Sequence, residues 1–75
     1  MTTPTRQRRK INPHALQALR ARERLTQARL AGLAGVDHTT VSRLERGERY
    51  TLPVEVIDRF AEALKVPATA LYAAD

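Results

Sequence analysis

The apolar positions of this chain recur at helical spacing, and breaks divide them into five short runs. Asn12-Pro13 opens the first, with Asn12 as N-cap and Pro13 at the first helical position. It predicts a helix to about residue 24, with Leu16 and Leu19 turned inward. Thr26 caps a second predicted helix, 27–33, which points Leu30 and Ala31 to the core. Gly35 sits where the chain must turn sharply, since a left-handed backbone costs glycine nothing, and Val36 plugs that turn into the core. Asp37 is the predicted cap of a third helix, 38–46, ended by Gly47. Residues 48–52 read as a loop, and a fourth helix, 53–64, carries the inward stripe Ile57, Phe60, Ala61 and Leu64. After a turn at Lys65-Val66-Pro67, a short fifth helix, 68–72, supplies Leu71.

The third run divides most cleanly. At about 100° per residue, Val41 and Leu44 share one side, while Thr39, Ser42, Arg43 and Arg46 share the other. No large apolar residue lies on that outer side. Two short helices joined by a tight turn, the second with an apolar inner and a polar outer face, form the pattern of a helix-turn-helix. The second helix of that motif can lie in the major groove of DNA.

Composition narrows the class. The 75 residues allow one domain, and the absence of cysteine excludes disulfides and cysteine-based zinc sites. With three aromatic residues (Tyr50, Phe60, Tyr72), the core must be built mostly from Leu, Val and Ala, which suits a small helical bundle. The net charge is +5 and is unevenly placed. Residues 1–50 hold eleven Lys/Arg against four Asp/Glu, and residues 51–75 hold two against four. The positive part of the chain therefore contains the candidate reading helix, and clustered positive charge is what a phosphate backbone attracts. No apolar run approaches a membrane span. Residues 1–10 lack the apolar core of a secretory signal and read as a flexible basic arm ahead of a domain at 11–75. A cytoplasmic, nucleoid-associated protein is expected.

The run Leu25-Thr26-Gln27, then Leu30-Ala31, Gly35-Val36 and Thr40-Val41-Ser42-Arg43-Leu44-Glu45-Arg46-Gly47 resembles the Cro/CI-type (XRE-like) helix-turn-helix family. The segment from Glu55 to Pro67 is similar to that family's fourth helix, and the resemblance covers about residues 12–72. It implies an all-α, compact five-helix lambda-repressor-like fold. It also implies that Gln27 contacts a DNA phosphate and braces a side chain of the third helix. By the same resemblance His38, Thr39 and Arg43 reach base edges, and Arg46 and Arg49 reach phosphates. Arg20 and Glu45 match an inward ion pair between the first and third helices, and dimer contacts fall near the last helix, with Val66, Leu71 and Tyr72 as candidates and core packing as the alternative for Val66 and Leu71. The chain departs from the family in two places: Arg24 stands where glycine is common, and the loop after Gly47 lacks the usual Asn-Pro.

The residue chemistry agrees. Arg43 can make paired hydrogen bonds to guanine O6 and N7, against the alternative of a phosphate contact. Thr39 offers a methyl to thymine and a hydroxyl to any base, or bonds its own backbone. His38 could meet a base edge or a phosphate. Thr40 and Ser42 are phosphate candidates, as are Thr26 and Gln27 at a helix N-terminus. Arg6, Arg8, Arg9 and Lys10 could track phosphates or enter the minor groove, the alternative being a solvated tail. His14 and His38 lie on different helices without a companion ligand set, so no metal is expected. Ser42, the only serine, shares a helix flank with His38 but has no orienting carboxylate, so no enzyme is expected.

The expected function is sequence-specific binding of double-stranded DNA as a transcriptional repressor, by a homodimer on a two-fold operator. No cofactor, membrane contact or small-molecule ligand is expected. The alternative is a protein-interaction module, such as an antitoxin or adaptor that binds a partner protein.

Overall fold

The computed structural model describes residues 7–73. In chain order these form β1 (Arg8–Lys10), α1 (Pro13–Arg22), α2 (Gln27–Ala34), α3 (His38–Glu45), β2 (Thr51–Pro53) and α4 (Val54–Leu64), followed by a single 3₁₀ turn, Ala68–Ala70. Four α-helices and a two-stranded sheet thus replace the five helices expected. The predicted last helix is only that 3₁₀ turn, because Pro67 starts it and Leu71 must drop directly into the core.

Two of the expected caps form. The Asn12 side chain accepts the amides of His14 and Ala15 at 2.9 and 3.2 Å, and the Thr26 hydroxyl accepts that of Arg29 at 3.0 Å. Asp37 differs. Its backbone is extended, as an N-cap requires, but its side chain makes no capping bond. The C-terminal ends are left-handed. Gly35 (φ 72°) closes α2, with the Val36 amide reaching the Ala31 carbonyl at 3.0 Å, and Gly47 (φ 75°) follows α3. Arg24 (φ 58°) and Lys65 (φ 62°) adopt the same conformation without being glycine. The departure at Arg24 therefore keeps the geometry, at a cost of about 1 kcal/mol.

The helices enclose one core. Leu16, Leu30, Val41, Leu44, Ile57, Phe60, Leu64 and Leu71 are fully buried. Ile11 and Leu52, which the helical periodicity did not reveal, join them at 2% exposure.

Leu52 comes from the segment read as loop, and Ile11 directly follows the residues read as arm. β1 pairs antiparallel with β2 in the register Arg8↔Pro53, Arg9↔Leu52 and Lys10↔Thr51. The Val54 amide donates to the Gln7 carbonyl at 3.0 Å and the Ile11 amide to the Tyr50 carbonyl at 2.7 Å. On the C-terminal side, the Asn12 amide reaches the Leu71 carbonyl and the Ala73 amide the Lys10 carbonyl, each at 2.9 Å. Residues 8–10 therefore pair within the domain and are not a free arm, residues 51–52 are strand and not loop, and Pro53 ends β2 instead of opening the fourth helix. Backbone bonds fix this pairing, so the run Arg-Arg-Lys takes part while its side chains stay exposed.

Candidate nucleic-acid interface

The turn at Gly35 and the cap at Thr26 set α2 and α3 against each other, and α1 closes over their inner side. Between the three runs a chain of polar side chains. Arg20 of α1 grips Glu45 of α3 with two bonds, Nε to Oε2 at 2.6 Å and Nη2 to Oε1 at 3.0 Å. Its Nη1 donates to the Leu25 carbonyl at 2.7 Å. Glu45 is 4% exposed, so the pair is held largely out of water. The bond to Glu45 raises the Arg20 pKa against the opposing effect of desolvation, so the guanidinium stays charged. From α2, Gln27 Nε2 donates to Glu45 Oε1 at 3.0 Å, and Gln27 Oε1 meets His38 Nε2 at 3.1 Å. The family resemblance leads to the pair and to the bracing role of Gln27. That one amide joins His38 to Glu45 depends on helix placement and cannot be read from spacing.

The outer side of α3 is free. His38, Thr39, Arg43 and Arg46 are exposed, Thr40 and Ser42 are half-buried, and Val41 and Leu44 lie fully buried on the opposite side. Arg43 has no side-chain partner among the described residues. Arg46 does: its Nε lies 2.9 Å from Glu48 Oε2. Sequence reading missed Glu48 as a competitor for Arg46, although an acid two residues beyond a basic side chain in a turn was a visible signal. Arg49 is exposed in the same loop, and next to it Tyr50 is 62% exposed. Thr26, at the N-terminus of α2, is exposed, and its oxygen is engaged in capping.

The basic residues of β1 are not equivalent. Arg8 donates to the Thr51 carbonyl at 3.0 Å and to its hydroxyl at 3.3 Å. The Arg9 guanidinium lies 4.2 Å from the centre of the Tyr72 ring, a cation–π contact that ties the first strand to the C-terminal segment. Lys10 is exposed. Arg6 lies outside the described residues. Among the described residues no three His, Asp or Glu side chains are grouped to hold a metal ion, and no helix is long and apolar enough to cross a membrane.

Two short helices joined at a glycine, the second presenting a polar outer face, define a helix-turn-helix. The chain belongs to the helix-turn-helix domain family, which matches residues 14–73. It is 42% identical over 52 residues to the HTH-type transcriptional repressor RghR of Bacillus subtilis (strain 168), a match that covers 69% of this chain and 38% of that protein. The chain thus spans well under half the length of this curated relative. Among solved structures it resembles the restriction-modification controller protein C.AhdI from Aeromonas hydrophila, with 33% identity and a TM-score of 0.72 over 77% of this chain and 86% of that one. It shares its fold with SinR, a master regulator for biofilm formation solved in complex with DNA, at a TM-score of 0.75 and 19% identity over 79% of this chain and 97% of that one.

Proposed function

We propose that this chain binds duplex DNA in a sequence-dependent way and acts as a transcriptional repressor, with α3 in the major groove. One observation carries the reading: the whole outer side of α3 is polar and open, while its apolar residues are spent on the core. The repressor and controller functions named for the two relatives support it. His38, Thr39 and Arg43 are the base-edge contacts, with Arg43 directed to guanine. In this reading Thr26, Gln27, Thr40, Ser42, Arg49 and Lys10 meet phosphates. Arg46 joins them by exchanging Glu48 for a phosphate. Arg8 and Arg9 reach phosphate only from the edge of the sheet, since both already hold partners within the chain.

One α3 reads only a few base pairs, so the functional unit is a homodimer on a two-fold site with recognition helices ~34 Å apart. Val66 and Tyr72 are the half-buried residues beside the 3₁₀ turn from which such a contact would be built. The protein acts in the cytoplasm, on the chromosome, without catalysis and without a cofactor. The test is Arg43→Ala. It should cost about 1–3 kcal/mol on the selected site and relax preference at one base pair, measured by titration of labelled duplexes. An equal loss on every sequence would reduce Arg43 to a phosphate contact.

A further inference from the structure

The hydrogen bonds around Glu45 fix more than the orientation of Gln27. The Glu45 carboxylate receives both bonds from Arg20 and can only accept. Gln27 must therefore turn its NH2 group to Glu45, which leaves its carbonyl oxygen facing His38. A carbonyl cannot donate, so His38 Nε2 must carry a proton. The neutral ring is then the Nε2–H tautomer, and its other nitrogen, Nδ1, is an acceptor. Nδ1 has no hydrogen-bond partner among the described residues. The two ring nitrogens point in widely divergent directions, so Nδ1 faces away from Gln27. His38 is the exposed first residue of α3.

We infer that His38 reads sequence through Nδ1 as a fixed acceptor that takes an exocyclic amino group of a base, adenine N6 or cytosine N4, in the major groove. The inference rests on the DNA-binding reading above and sharpens it at one residue. Guanine and thymine present only acceptors at the corresponding groove positions, so neutral His38 discriminates against them. Protonation leaves the bond to Gln27 intact, because Nε2 donates in both states. It converts Nδ1 to a donor, and the same ring in the same place then favours guanine or a phosphate. The charged groups that bear on the ring are Glu45 of α3 and Arg20 of α1, both linked to it through the uncharged Gln27 of α2, and Asp37, which adjoins it in the chain.

Two measurements test this on the full chain. The first is a long-range ¹H–¹⁵N correlation of the histidine rings in the free protein at pH 8. A protonated Nε2 and an unprotonated Nδ1 on His38 are expected, and a proton on Nδ1 overturns the inference. The second is selection of bound duplexes from a randomised pool at pH 8 and pH 5.5, either side of the range in which histidines ordinarily titrate. One position of the motif should favour adenine or cytosine about fivefold at pH 8 and lose that preference at pH 5.5, the worth of one hydrogen bond. His38→Ala should remove the preference seen at pH 8, and Gln27→Ala should blunt it. The identity of the enriched base tells adenine from cytosine. A motif whose every position is indifferent to pH and to His38→Ala overturns this inference and leaves the DNA-binding reading standing. Failure to enrich any motif overturns both.

Discussion

At single residues, the ends of the helices show how much depends on one oxygen atom. Asn12 and Thr26 each satisfy amides that a helix leaves unpaired, whereas Asp37 holds the same backbone position without a bond. Asn12→Ala and Thr26→Ala should each lower stability by about 1 kcal/mol, and Asp37→Ala by only a few tenths, on urea unfolding of the purified variants. An Asp37 loss as large as the other two would mean that the carboxylate caps α3 in solution. The residue type and position alone named all three as caps. Whether the side chain then turns toward the amides is a rotamer choice that sequence does not encode.

At the scale of elements, α1 and α3 are tied by the Arg20–Glu45 pair, and β1 is tied to β2. Removing one partner of a nearly buried pair strands the other's charge. Arg20→Met should cost about 3 kcal/mol, and the double change Arg20→Met with Glu45→Leu should recover most of that loss, as a thermal or denaturant double-mutant cycle would report. Additive losses would place the cost outside the pair. The strand makes a separate demand. Ile11 is 2% exposed beside the sheet, and Ile11→Ala should cost about 2–4 kcal/mol. A loss near zero would place the segment between β1 and α1 outside the cooperative unit, and the same unfolding experiment decides it.

For the whole molecule, the positive surplus lies in residues 1–50, with Arg43, Arg49 and Lys10 exposed and Arg46 held by Glu48. Binding that neutralises several phosphates must release counterions. Log affinity should fall linearly with log salt, with a slope near −0.9 for each phosphate contacted, and Arg49→Ala should reduce that slope by about one. A flat salt dependence would set DNA aside as the principal ligand.

Local periodicity suffices for the four α-helices and their inner stripes, because an apolar face at helical period is a local signal that packing then honours. It also determined the open polar side of α3, since the residues left over from the core can only face outward. Tertiary structure decided what pairs across distance. The run Arg8-Arg9-Lys10 carries no alternation to mark it as a strand, and its partner begins more than forty residues later, so only the closed core places Ile11 and Leu52 together. The link from Arg20 through Glu45 and Gln27 to His38 was likewise settled in space. Each residue type permits several hydrogen-bond arrangements, and three packed helices leave one.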